Sequence, residues 1–498
     1  MNTFGRTLGG LMSCLLLGGC FDGGHASSKE DRLQIVMMQP PRSGLTPLSD
    51  DAFKLSRWNT AETLVTLDPQ GDAMPGLATR WQPLDATHWR FELRDGVHFH
   101  DGAPLNADSV AHALNVAAHA TPNPRILDGV TLTAVADGDH AVIVTTLQAD
   151  PLLPQRLSSP QLVILSPAAY RADGTLDPRR AGTGPFILNS IEGTSAAHLD
   201  RFDGYWGGKA QSAGIDVSFV PDGVARAAAL RTHRADIVEA IPVSQVSLLP
   251  PQEVHEVPMP RTNTLYLNTR TGAFRDPALR ALVASAVQRQ PIVVRVFEGR
   301  ADVAKGLLGP AIAWAAPLRD RQLPVEATLP APANGKVITL ATFSDRAELP
   351  EVAVMLAEQL KAAGFEVHQV VREYAHIDSD ALAGKFDAFI LSRATVLDSG
   401  DPLAYLYSDF SCHGSFNLSQ LCDAGIDQAL QNAAGLVPGS ARREAIITAE
   451  RQILATHAAI PLLHERVLQG EREGTQGAFR DPRERQLIGL DTKSGSAP

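Results

Sequence analysis

Long apolar runs are almost missing from this sequence. Beyond the first twenty residues no stretch approaches the roughly 20 apolar residues a membrane-spanning helix needs. Clusters of basic residues are missing too. The 44 Lys and Arg are scattered among 55 Asp and Glu, for a formal charge of −11, so nothing resembles the cationic stripe that nucleic acid requires and no nucleic-acid partner is expected. There is no G-x-S-x-G, no H-E-x-x-H and no P-loop, and the His and Asp residues fall at no recognisable catalytic spacing. An exported hydrolase therefore stands only as the rival of a different class. Low-complexity tracts and internal repeats are absent, and cysteine is scarce, with four in 498 residues.

What is present begins at the N-terminus. Arg6 precedes an apolar, glycine-containing stretch, Leu8 to Leu17, which has the length of a signal-peptide h-region. It runs into Leu17-Gly-Gly-Cys20, a spelling that resembles a bacterial lipobox, in which Cys20 becomes the lipidated first residue; the alternative is an ordinary secretory signal cut nearby. Either reading exports the mature protein. Residues 1–19 are expected to be the leader and 20–32 a polar tether, which places the folded part outside the cytoplasm, in the periplasm or at the cell surface, on a lipid anchor. With Cys14 inside the leader and Cys20 carrying lipid, only Cys412 and Cys422 remain. Ten positions apart in an oxidising compartment, they are better explained as a loop-closing disulfide than as a redox or zinc pair.

A chain of this length exceeds one ordinary core, so two or three domains are expected. Strand and helix patterns alternate along it. "HWRFELR" reads as a strand and "NADSVAHALNVAAHA" as a helix with Asn106 at its N-cap, while "TLTAVADGDHAVIVTTL" reads as two strands around a turn. Later, "VITLATF", "FEVHQVV" and "FDAFILSR" read as strands around a helix that starts at Pro350 and ends at Gly364. The Pro- and Ala-rich segment from Ala315 to Lys336 reads as a surface link.

Several of these stretches, taken in order, carry a resemblance. They are "PGLATRWQPLDATHWRFELRDGVHFHDGAPLNADSV" (Pro75 to Val110), "GTGPFILNSIEG" with "DRFDGYWGGKA", "LYLNTRTGAFRDPALRALVASAVQRQPIVVRVFEG" (Leu265 to Gly299), "GKFDAFILS" and "AAIPLLHE". The sequence resembles the extracytoplasmic solute-binding proteins of family 5, the binding components of ABC importers for peptides, nickel chelates and related solutes. The resemblance implies an α/β protein with the type II periplasmic-binding-protein fold, two lobes joined at a hinge, and an extra inserted domain. The expected division is 33–48 with 183–262 and 464–498 in lobe I, 49–182 as the inserted domain and 263–463 in lobe II. It also implies a monomer that closes on a small solute and serves a membrane permease with its ATPase, needing no cofactor and no catalysis.

The same resemblance offers site residues. "SRATVLDSGDPLAYL" resembles the Asp-x-x-Asp-Pro segment of peptide-binding members, which makes Asp398 the partner of a peptide's α-ammonium, flanked by Thr395 and Val396 where many members carry aromatics. His413 lies close to where nickel-chelate binders carry a ligand histidine, and Arg125 close to an arginine that meets chelate carboxylates. Short peptides are the first expectation and a nickel or other metal chelate the alternative. His98 and His100, alternating along an apparent strand, are expected to share one face as scaffold, and Tyr205 with Trp206 to anchor a loop.

Overall fold

The computed structural model describes residues 32–69, 71–322, 328–395 and 400–495. The leader, Cys20, Val396 and Asp398 lie outside the described residues.

Runs of consecutively buried residues build the centre of the molecule. In Ala388–Ala394 every residue is buried, the pattern of a strand covered on both faces. Among the described residues eleven strands share one mixed sheet. Its order is Glu366–Arg372, Val337–Phe343, Ala388–Ala394, Val254–Leu267, Ala459–Glu471, Ile237–Val238, Arg32–Met37, Gly214–Phe219, Ala196–Arg201 and Phe186–Glu192, with Ala301–Val303 pairing Ala459–Glu471 off this path. Parallel pairing occurs around Arg32–Met37 on one side and around Val337–Phe343 on the other.

Two long strands join those sides. Val254–Leu267 pairs Ala388–Ala394 through its C-terminal part, and Ala459–Glu471 pairs Ile237–Val238 through its own C-terminal end. Between the two long strands the register shifts from Pro258 opposite Arg466 to Thr262 opposite His464. Met259, Pro260 and Arg261 thus stand opposite Glu465 alone, an irregularity that bends the strand.

A separate antiparallel sheet, ordered Ala78–Pro83, His88–Leu93, Ala141–Thr146 and Leu132–Ala136, carries the helix Ala107–His119. Asn106 caps that helix as expected: its side chain accepts the Ser109 N–H at 2.9 Å, and the Ser109 hydroxyl oxygen accepts the Asn106 N–H at 3.1 Å. The apolar cluster under this sheet runs from Leu64 to Ile164. Leu55, Trp58 and Val163, which the 49–182 boundary assigns to the insertion, pack instead with Leu33, Ile35 and Phe186.

Three local expectations are corrected. The segment from Ala315 does not begin as a link, because Ala315–Arg319 is a short helix whose Arg319 guanidinium reaches the buried Glu450 carboxylate at 2.7 and 3.0 Å. The helix near Pro350 starts earlier, at Glu348, with Pro350 in its first turn, where a missing N–H has no helical partner to lose. His98 and His100 do not share a face. His98 is exposed and belongs only to an isolated bridge to Pro104, whereas His100 is buried with Nε2 2.8 Å from the Gly184 carbonyl oxygen. Tyr205 and Trp206 both donate to the Glu62 carboxylate, at 2.8 and 3.1 Å, and tie their loop to the fold.

Candidate functional site

The main cavity lies at the carboxyl ends of parallel strands from both sides of the sheet. Met37 and Met38, Glu239, Phe343 and Ala394 all line it from such positions, where open α/β sheets hold their ligands. Its volume is about 220 Å³, below the ≈ 300–1,000 Å³ of pockets for drug-sized ligands, so it suits a small solute. Met259 and Arg261 reach it from the irregular stretch of the first long strand, and Phe416 from the loop that Cys412 and Cys422 close.

The lining is rich in guanidinium groups, nearly all matched by carboxylates. Arg57 meets Glu239 at 2.5 Å, Arg346 meets Glu465 at 3.1 Å, and Arg125 meets Asp50 at 3.2 Å. Arg261 holds Glu484 through both carboxylate oxygens. Burial alone would raise the Glu484 pKa, but Arg261 draws it down to about 2, so Glu484 stays ionised at any physiological pH. Glu239 follows the same logic, with burial opposed by the Arg57 charge and a net downward shift. Arg393 grips Asp409 in a bidentate pair at 2.8 and 2.7 Å, and its guanidinium carbon lies 4.5 Å from the Phe416 ring centre. A pair so buried adds little net stability, yet it fixes the guanidinium in place. Each guanidinium carries five N–H donors, so paired arginines keep donors for a ligand.

Asp51 sets the rim. It accepts the backbone N–H groups of Arg42, Ser43 and Leu45 together with Lys54 Nζ, and it holds the segment after the first strand against the cavity. Burial would raise its pKa, but Lys54 and these donors lower it on balance.

The expected ligand residues that are described, Arg125, Thr395 and His413, are not gathered in one place. Arg125 lines the cavity. Thr395 is buried outside its lining, with the hydroxyl donating to the Pro260 carbonyl oxygen at 2.9 Å. His413 is exposed and does not line the cavity, and among the described residues no group of three or more His, Cys, Asp or Glu is placed to hold a metal. The Cys412–Cys422 disulfide is present. Sequence reasoning missed Arg42, Arg261, Arg346, Arg393 and Tyr374, all of which line the cavity. Arg393 carried a usable signal, since a lone charge inside the apolar run "AFILSRA" must be paired or functional.

A sheet continuous through two halves, with a small cavity of mixed charged and apolar lining at the strand ends between them, defines a type II periplasmic-binding-protein fold. The solved structures bear this out. NikA from Staphylococcus aureus in complex with Ni(L-His)2 superimposes with a TM-score of 0.81 at 19% identity, covering 93% of this chain and all of its own. A dipeptide binding protein from Pseudoalteromonas sp. SM9913 in complex with Met-Leu gives 0.81 at 18% identity, covering 93% of this chain and 99% of its own. Residues 72–417 match the bacterial extracellular solute-binding proteins, family 5 Middle, and the chain belongs to that family. Among curated relatives, the probable di/tripeptide-binding protein 5 of Pseudomonas aeruginosa (strain UCBPP-PA14) is 25% identical over 497 residues, covering 89% of this chain and 93% of its own.

Proposed function

We propose that this protein captures short peptides outside the cytoplasmic membrane by closure of its two halves and delivers them to the permease and ATPase of an ABC importer. The observation that carries the reading is the cavity: it is small, it lies between the halves, and its guanidinium groups complement a carboxylate. The Pseudomonas relative named for di- and tripeptides supports it. On this reading Asp398 meets the peptide's ammonium, while lipid on Cys20 keeps the protein at the membrane.

Native mass spectrometry of the protein as purified from its producing cells tests the ligand class. A spread of short-peptide masses is expected. A single metal-bearing small molecule would replace the peptide reading with the chelate one, which Arg125 in the cavity lining supports and the exposed His413 does not. In calorimetric titration with a dipeptide, Asp398→Asn should weaken binding by on the order of 2 kcal/mol or more, the cost of leaving an ammonium without its partner. Unchanged affinity would remove Asp398 from the site.

A further inference from the structure

The cavity is not charged throughout, for its floor turns apolar where the central strands of the sheet pass beneath it. Val257 and Met259 alternate with the exposed Pro258 along the strand Val254–Leu267, so both point the same way, into the cavity they line. Val257 stands opposite Val467 on the neighbouring long strand, and Val467 lines the cavity too. The next strands in the sheet, Ile237–Val238 and Arg32–Met37, lead to Ala240 and Met38, which also line it. The Ile241 N–H donates to the Leu468 carbonyl oxygen at 2.8 Å and keeps Ala240 beside Val467, while the Met38 N–H donates to the Glu239 carboxylate at 2.7 Å. Strand order thus sets Met259, Val257, Val467, Ala240 and Met38 in one apolar row across the floor.

Ion pairs stand at either end of that row, Arg261 with Glu484 and Arg57 with Glu239. The lining as a whole carries both signs, with Arg42 as well as the paired arginines and Asp481 as well as the paired carboxylates. A short peptide with uncharged side chains brings one ammonium and one carboxylate and shifts this balance in neither direction. Methionine is concentrated here, since three of the chain's seven line the cavity. Met37 is committed to Trp58, whose Nε1 donates to its sulfur at 3.1 Å. Met38 and Met259 present unbranched, polarizable thioethers, which reshape around apolar groups of different outline.

We propose that Met259, with Val257 and Val467, determines specificity: this floor receives an apolar side chain of the bound peptide, so that the protein prefers short peptides carrying Leu, Ile, Val or Met over those carrying polar side chains of equal size. This rests on the peptide reading above. An aliphatic side chain laid on methyl and thioether groups leaves water at no polar cost, whereas a carboxamide loses its hydration there and finds no partner among the side chains of the row.

The test is calorimetric titration of the mature protein, freed of co-purified ligand, with Ala-Leu, Leu-Ala, Ala-Asn and Asn-Ala, in which Leu and Asn share nearly one outline. At least one Leu dipeptide should bind the natural protein about tenfold more tightly than its Asn counterpart. Met259→Gln and Val467→Thr, which keep the volume and add polarity, should each bring that ratio towards one, and Met259→Leu should retain it. The ratio separates a role in selection from a purely structural one, because loosening the fold weakens all four ligands together; should Met259→Gln not fold, Val467→Thr decides. Equal affinities for Leu and Asn dipeptides in the natural protein, or an undiminished ratio in the folded polar variants, would overturn the assignment while leaving the peptide reading intact. Failure of all four dipeptides to bind the natural protein would instead overturn the peptide reading, and the assignment with it.

Discussion

His100 is 4% exposed, and its Nε2 approaches the Gly184 carbonyl oxygen while Phe202 packs edge-on against the ring at 5.1 Å. Burial drives its pKa from 6.5 down to about 4, so the folded protein holds it neutral. The unfolded chain takes up a proton as pH falls below 6.5, and stability is therefore full above that value and lost progressively down to about pH 4. At 1.36 kcal/mol per unit the loss is on the order of 3 kcal/mol. His464, also lowered to about 4 by burial, adds a loss in the same window. His100→Gln should lower the melting temperature at pH 7.5 and also flatten its decline between pH 6.5 and 4, which calorimetry at both ends would read. An unchanged slope would mean that His100 is not the proton acceptor. Residue roles of this kind were half legible. The "VHFHDG" stretch announced scaffold, but its alternation implied a common face that the Asp95-Gly96 turn does not provide, because no regular strand passes through both histidines. The charged lining was less legible still, since Arg393 and Asp409, or Arg261 and Glu484, become neighbours only after the sheet is assembled.

Among the elements, the Cys412–Cys422 loop joins stability to the site. It carries Phe416, which lines the cavity, and Ser415, whose hydroxyl donates to Asp128 on the small-sheet unit. Closing a loop of this size is worth about 3 kcal/mol in the chain-entropy account. The double variant Cys412→Ser, Cys422→Ser should therefore unfold at lower temperature, and its peptide affinity should fall because Phe416 and Ser415 lose their tether. Retention of both properties would assign the disulfide no part in either. Elements with strong internal patterns were read correctly: Val337–Phe343 has the limits its apolar run suggested, and the Asn106 cap was visible from residue type alone. The helix Ala315–Arg319 was not visible. Its Pro- and Ala-rich sequence has no helical period, and what holds it is tertiary, the Arg319 contact with Glu450.

At the scale of the whole molecule, the alternation of strands and helices foretold an α/β protein but not which strands are neighbours. The order that brings residues 388–394 beside 254–267, and 459–471 beside 237–238, depends on pairings between segments far apart in sequence. The proposed closure yields a global expectation. A ligand that binds only the folded, closed form at 100 times its Kd should add about 2.7 kcal/mol to stability and raise the melting temperature. Small-angle scattering should show the radius of gyration shrinking on binding; a stabilised protein of unchanged radius would argue against lobe movement.

The irregular register at Met259, Pro260 and Arg261 has a kinetic consequence for that movement. The ladder between the two long strands is already interrupted there, so a bend at this point opens no backbone pair between those two strands, while Arg261 stays paired with Ala394 on the other edge. The barrier to release then resides in side chains across the mouth, Arg42 on Tyr374 and Ser415 on Asp128, and residence time becomes a property of the rim that can change without disturbing the architecture beneath.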